Sequence, residues 1–203
     1  LIIGHITQDK TAEGMKIGGT AAYAAKTAMS LGLRVGIYTS WGEEVGLEVL
    51  DGIQIYNPIP MPSTTFENQN TSAGRKSIIS QIAGKLEYYE IPQVWRDTPL
   101  IHFAPVAQEF NPISIKYFKK SKVLVTPQGW LRKWDEAGNV SFTDWPEYKS
   151  VLGQAFTIVI SEEDINFDYD RIPALASATQ ILIVTKGKNG ALLFENGKEL
   201  QIN

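Results

Sequence analysis

Short apolar runs of strand type recur along the whole chain, with helical patterns between several of them. "LIIGHI" (1–6) is short, β-branched and closed by polar residues, so it reads as a buried strand. "LRVGIYT" (33–39), "LIHFA" (100–104), "VLVT" (123–126), "FTIVI" (156–160) and "ILIVT" (181–185) have the same character. Residues 20–31 carry Ala21, Ala24, Ala25, Ala28 and Leu31 at helical spacing, with Tyr23, Lys26, Thr27 and Ser30 on the opposite face. Gly32 stands where a helix C-cap belongs. In "NPISIKYFKK" (111–120), Asn fits an N-cap and Pro the first helical position. Strand alternating with helix predicts an α/β fold whose sheet is mostly parallel and covered on both faces.

Residues 63–83 break the alternation. "STTFENQNTSAGRKSIISQIA" has no helical period and reads as two polar strands around a "TSAG" turn. It is either an edge hairpin or a flap over a site. "LLFENGKELQI" (192–202) is a hairpin in which Asn196–Gly197 suits a type I′ turn.

Composition excludes several classes. The chain has 203 residues, 43% hydrophobic and 20% charged, enough for one sizeable core. Net charge is −3, and "YFKKSK" (117–122) is the densest basic spot, so no nucleic-acid footprint is expected. The absence of cysteine excludes disulfides and thiolate zinc sites. No apolar run approaches the roughly 20 residues of a membrane span, and nothing reads as a signal peptide. A soluble, cytoplasmic protein without a membrane partner is the expectation. The first residue, Leu1, lies inside an apolar run, which suggests that residues precede it.

Gly18 and Gly19 stand directly before the alanine-rich helix. Two readings are open: plain turn chemistry, or close approach of backbone to a ligand at a helix N-terminus. Neither G-x-G-x-x-G nor G-x-x-x-x-G-K-[ST] occurs, which sets aside a Rossmann dehydrogenase and a Walker A loop.

The order of the pieces is more informative than any one of them. "IIGHITQD" is followed by "GGTAAYAAKTAMSLGLRVGIYTSWGEE", "STTFEN", "VTPQGWLR", "VISEEDI" and "IVTKGKNGALLF". This succession resembles the ribokinase-like (phosphofructokinase B type) carbohydrate and nucleoside kinases over essentially the whole chain. The resemblance implies a three-layer α/β/α sandwich: one domain over residues 1–203, with a small β lid built from strands around 7–17 and 63–83. It implies transfer of the γ-phosphoryl of ATP, with Mg²⁺, to a hydroxymethyl group of a sugar or nucleoside. A non-catalytic sugar- or nucleoside-binding module on the same fold is the alternative. It further implies pairing of two copies through the lid.

Residue roles carry over from the same resemblance. Asp9, Gly18 and Gly19 match acceptor-binding positions, Tyr23 lies near a polar acceptor contact of some members, and Gln128 falls where acceptor and phosphate meet. Arg132 is the matching candidate for neutralising phosphate; a surface ion pair is its other reading. Thr185, Gly187 and Gly190 match the nucleotide side. Ser161 and Asp164 stand in place of the family's N-x-x-E pair, which organises Mg²⁺ through water. Three successive acids, Glu162, Glu163 and Asp164, also suit a helix N-terminus. The family's catalytic aspartate lies in a G-A-G-D motif, and this chain reaches Asn203 without one. That predicts a missing C-terminal segment and an inactive chain on its own, with no catalytic residue within it. The interval from Asp9 to Gly18 is also short for the family's lid strands, which predicts residues missing there.

Overall fold

The computed structural model describes residues 1–203 except 43–45, 59, 72–73, 146–147, 197 and 203. In chain order the elements are β1 (Ile2–Ile3), β2 (Thr7–Thr11), β3 (Gly14–Gly18), α1 (Thr20–Ser30), β4 (Gly36–Tyr38), β5 (Gln54–Tyr56), β6 (Thr64–Thr71) and β7 (Gly74–Gln81). Then follow α2 (Gln93–Arg96), β8 (Leu100–Phe103), β9 (Lys122–Val125), β10 (Arg132–Trp134), β11 (Val140–Phe142), α3 (Tyr148–Leu152), β12 (Thr157–Ser161), α4 (Ile172–Ser177), β13 (Ile181–Thr185), β14 (Ala191–Glu195) and β15 (Lys198–Ile202).

Nine strands form the central sheet in the order β15-β14-β13-β12-β9-β8-β1-β4-β5. The seven from β13 to β5 run parallel, and β14 and β15 close one edge antiparallel. A separate sheet pairs β3-β2-β6-β7, and β10 pairs β11. Helices lie on both sides: α1 joins the cluster of Ile2 and Ile37, whereas α3 and α4 join that of Ile3, Phe103 and Ile160.

Register fixes the two faces. Ile3, Tyr38, Phe103, Val125, Ile158 and Leu182 are register neighbours on one face, all at most 4% exposed. On the other face, Ala21, Ala22 and Ala25 of α1 bury Ile2 and Ile37. Their neighbours His102, Leu124, Thr157 and Ile181 are half-buried. A groove of about 530 Å³ lies open over His102, Leu124 and Thr157. Helices flank both faces as expected, but among the described residues the cover on the α1 face is partial. At 11 residues α1 covers one end of that face, and the other three helices, of four to six residues, are too short to extend the cover.

Three local readings also change. The first strand is two residues long instead of six: Gly4 N still donates to Tyr38 O at 3.1 Å, and beyond it the backbone turns to other partners. His5 N donates to the Glu109 carboxylate and Ile6 N to the Thr39 hydroxyl, each at 2.9 Å. The segment after Asn111 is a 3₁₀ helix over Pro112–Tyr117; the Asn111 side chain caps it as expected, accepting from Ile113 N at 3.0 Å. Its buried Ile115 and the buried Phe118 at its C-cap are three residues apart, which suits three residues per turn. The interval from Asp9 to Gly18 holds a hairpin: five-residue β2 and β3 pair across it, joined at Ala12 and Glu13, with Gly14 at φ of 115° opening β3.

Helix α1 and its Gly32 terminator are as expected, with Gly32 at φ of 80° donating to Met29 O at 2.9 Å. Asn196 has the left-handed φ of 48° that a type I′ turn requires; Gly197 lies outside the described residues, as do Ser72 and Ala73 of the "TSAG" turn.

Candidate active site

Parallel strands leave their carboxyl ends at one edge, and ligands of open α/β sheets bind outside that edge where the strand order reverses. Here the reversal is at β1. The chain proceeds from β1 to β4 and β5 on one side, then returns to β8, β9, β12 and β13 on the other. The segments leaving those ends carry nearly all the residues singled out from the sequence.

The glycine pair sits beside β1. Gly18 ends β3, and Gly19 is the N-cap of α1 with φ of 88° and ψ of 142°, a conformation that L side chains rarely adopt. A Cβ on Gly19 would lie 2.5 Å from His5 O. A Cβ on Gly18 would lie 2.6–2.7 Å from the Asp9 carboxyl atoms. The pair therefore serves close approach, and the group that approaches Gly18 is Asp9 itself. Thr7 donates its hydroxyl to Asp9 at 3.3 Å. Asp9, Lys16 and Phe66 are register neighbours in the four-stranded sheet, so they share a face. At the Phe66 end that face is packed against Ile79, Val106 and Ala107, Asp9 is half-buried, and Lys16 at the outer edge is exposed.

Beneath Asp9 runs a buried polar network that sequence reasoning missed. His5 is fully buried. Its Nε2 lies 2.8 Å from Gly84 O and its Nδ1 2.7 Å from the Thr64 hydroxyl. Gly84 O can only accept, so Nε2 carries the proton; in the neutral ring Nδ1 then accepts from the Thr64 hydroxyl, whose oxygen in turn accepts from Ala83 N. Gly84 N donates to Ser40, and Gly42 N to Ser63. Glu109, 1% exposed, accepts from His5 N at 2.9 Å, from Val106 N at 3.0 Å on both oxygens, and from Ala107 N at 2.8 Å. These bonds join the base of the four-stranded sheet to the central one. The sequence signal was faint: one histidine and one glutamate inside apolar stretches, a hundred residues apart.

A second cluster lies at the ends of β9, β12 and β13. Ser161 N donates to Asp164 Oδ2 at 2.9 Å, Asp164 N donates to Ser161 Oγ at 3.1 Å, and Gln128 Nε2 donates to Asp164 Oδ1 at 3.3 Å. Thr185 faces Ser161 across β12–β13 and donates its hydroxyl to Ile160 O at 3.3 Å. Gly187 and Gly190 shape the following turn at φ of 54° and 81°. Glu162 accepts from the Tyr169 hydroxyl, which pushes that phenol above its ordinary range.

Arg132 bridges the two clusters. Its guanidinium lies 5.8 Å from the centre of the Phe66 ring, and it lines, with Ser77, Glu163 and Asp164, a polar cavity of about 410 Å³. The structure thus brings Asp9, Gly18 and Gly19 together on one side, and Gln128, Arg132, Ser161, Asp164 and Thr185 on the other. Tyr23 is 62% exposed on α1, and its backbone N–H donates to Gly19 O at 3.4 Å within the first turn of the helix.

Among the described residues no group of three or more His, Asp or Glu side chains is arranged to hold a metal ion. Each Asp164 oxygen already accepts one hydrogen bond and keeps a further lone pair. That fits a role through metal-bound water and does not fit a tight cage of direct ligands. Among the described residues no helix is long and apolar enough to cross a membrane.

No family model and no curated protein matches the sequence. Solved structures do. A pyrophosphate-dependent kinase in the ribokinase family, in a sulfate complex, superposes with a TM-score of 0.82 at 16% identity, covering 100% of this chain and 78% of that one. A pyrophosphate-dependent kinase of that family, complexed with a pyrophosphate analog and myo-inositol, gives 0.81 at 17% identity over the same shares. Arabidopsis thaliana ribokinase, complexed with ribose and ATP, gives 0.66 at 16% identity over 100% and 76%. With its largely parallel nine-stranded sheet, flanking helices and accessory four-stranded sheet, this chain has the ribokinase fold.

Proposed function

We propose that the chain belongs to a small-molecule kinase that transfers a phosphoryl group to a hydroxyl of a sugar, polyol or nucleoside. The observation that carries this is the Asp9 carboxylate lying against the bare backbone of Gly18, on the same face of the four-stranded sheet as the buried Phe66. A carboxylate beside unencumbered backbone suits a ligand rich in hydroxyl donors. In this reading Asp9, Gly18 and Gly19 hold the acceptor, with Gln128 towards the phosphate. The strands β2, β3, β6 and β7 act as a lid that excludes water from the activated phosphoryl group. Arg132, Thr185, Gly187 and Gly190 face the donor, and Ser161 and Asp164 order water around its Mg²⁺. The metal would supply charge neutralisation on the phosphate oxygens.

The donor is ATP in the reading carried from the sequence. Pyrophosphate is a second reading, favoured by the higher likeness to the pyrophosphate-dependent kinases, 0.82 and 0.81 against 0.66. Calorimetric titration with ATP and with pyrophosphate, each with Mg²⁺, separates the two.

The acceptor assignment is tested by binding, independently of turnover. Ribose, fructose, myo-inositol and nucleosides are titrated into the wild-type chain, and the best of them into Asp9→Asn. Loss of a charge-assisted hydrogen bond, roughly 1.5–3 kcal/mol, predicts about 10- to 100-fold weaker binding at unchanged thermal stability. Equal affinity in the variant would sink the assignment.

A further inference from the structure

β7 is an outer strand of the four-stranded sheet, and an outer strand presents backbone N–H and C=O groups with no strand beyond it. The turn of the β10–β11 hairpin covers part of that edge. Ile79 N donates to Gly138 O at 2.8 Å, and Ile78 and Asn139 form an antiparallel bridge. The buried Gly138 takes a φ of 78°, and a Cβ there would lie 2.2 Å from Ile79 O, so the contact needs glycine. The turn is itself braced. The Asp135 carboxylate accepts from Asn139 N at 2.8 Å and from Asn139 Nδ2 at 2.9 and 3.1 Å, and Gly138 N donates to Asp135 O at 2.9 Å.

What this contact holds leads to Arg132. Ile79 is the register partner of Phe66 on β6, and both are buried. Trp134 and Val140 of the hairpin pack against the cluster that these two form with Val106 and Ala107. The Phe66 ring is the surface over which the Arg132 guanidinium sits. The base of the hairpin is fixed elsewhere: Gln108 Nε2, in the loop after β8, donates to Arg132 O, and Thr143 N donates to Leu131 O at 2.9 Å. The hairpin is therefore held at its base by the segments that leave the central sheet and at its tip by the four-stranded sheet. Arg132 lies where the two meet, and it shares the lining of the polar cavity with Ser77 of β7 and with Asp164. Displacing Phe66 changes where the guanidinium stands in that cavity.

We propose that Gly138 is a positioning residue for the phosphoryl donor, acting on Arg132 through Ile79 and Phe66. The proposal rests on the donor-side reading of Arg132 given above. A long arginine side chain has many rotamers, and ordering it on binding costs affinity. A Phe66 ring held in place orders the guanidinium beforehand, so the tip contact contributes to donor affinity without touching the donor.

A double-mutant cycle tests it. Inorganic pyrophosphate and ATP, each with Mg²⁺, are titrated calorimetrically into the wild-type chain, Gly138→Ala, Arg132→Ala and the double variant. Arg132→Ala should bind the better donor about 10-fold or more weakly, the loss of a charge-assisted contact. Gly138→Ala should bind it about 3- to 10-fold more weakly, the worth of ordering one such side chain. The double variant should lie within about 2-fold of Arg132→Ala, because a residue that acts through the guanidinium has nothing left to act on. Asp135→Ala, which unbraces the turn from an exposed position, repeats the cycle should Gly138→Ala fail to fold. Losses that multiply in the double variant, or wild-type affinity in the turn variants, overturn the proposal and leave the donor reading standing. A wild-type chain that binds neither donor better than Arg132→Ala does sinks the donor reading of Arg132, and the proposal with it.

Discussion

Replacing Glu109 by alanine is expected to lower the stability of the chain by about 3–5 kcal/mol, because three buried N–H groups lose their acceptor together at roughly 1–3 kcal/mol each. Those groups belong to His5, Val106 and Ala107, and Glu109 itself is 1% exposed. Among the described residues no lysine or arginine pairs with it, so its charge is met by peptide dipoles alone. Domains of this kind are stable by only about 5–15 kcal/mol, so the loss is a large share of the whole. Glu109→Gln should cost less. An amide oxygen in the place of Oε1 keeps His5 N and Val106 N, while the amide nitrogen opposes Ala107 N. Urea denaturation followed by circular dichroism reads both variants. A midpoint shift for Glu109→Ala worth under about 1 kcal/mol would mean that water replaces the carboxylate and that the loop is not clamped.

The same residue shows where the sequence is legible and where it stops. Strand runs such as "ILIVT" announce themselves by length and branching, and β13 is found on those five residues. The helix after Gly19 is legible because alanines recur at helical spacing, and its end because Gly32 takes a positive φ. What failed depended on partners distant in sequence. The first strand ends short of residue 6 because Glu109 and Thr39 claim the amides of His5 and Ile6, and neither residue is near it in the chain. The half-covered face of the sheet is likewise invisible to periodicity, since alternation reports that strands are apolar and not what lies above them. Asp9, Gly18 and Gly19 are adjacent across one hairpin, so the ordered motif located them together. The Gln128–Asp164 contact joins segments 36 residues apart, and the family resemblance, not spacing, singled out both.

Gly19→Ala and Gly18→Ala should part company, and the difference follows from what each new methyl group would strike. At position 19 it would lie 2.5 Å from His5 O, a backbone atom of the segment that anchors Glu109, at a φ of 88°. Neither the clash nor the conformation has an easy escape, since moving His5 O disturbs the bonds of His5 N and Ile6 N. A loss of about 2–4 kcal/mol is expected from backbone strain of roughly 1–3 kcal/mol together with the displaced contacts. At position 18 the methyl group would meet the Asp9 carboxyl group, the end of a side chain that can rotate away. Stability should fall by about 1 kcal/mol or less, within the range of ordinary substitutions. Moving Asp9 has its effect on binding instead: affinity for the best hydroxylated acceptor should drop about 10-fold or more, approaching that of Asp9→Asn, and the double variant should be little worse than either single one. Thermal melts and calorimetry on the four variants and the wild type read both quantities. If Gly18→Ala bound acceptor as the wild type does while Asp9→Asn did not, the carboxylate would be acting from a position other than the one it holds over Gly18.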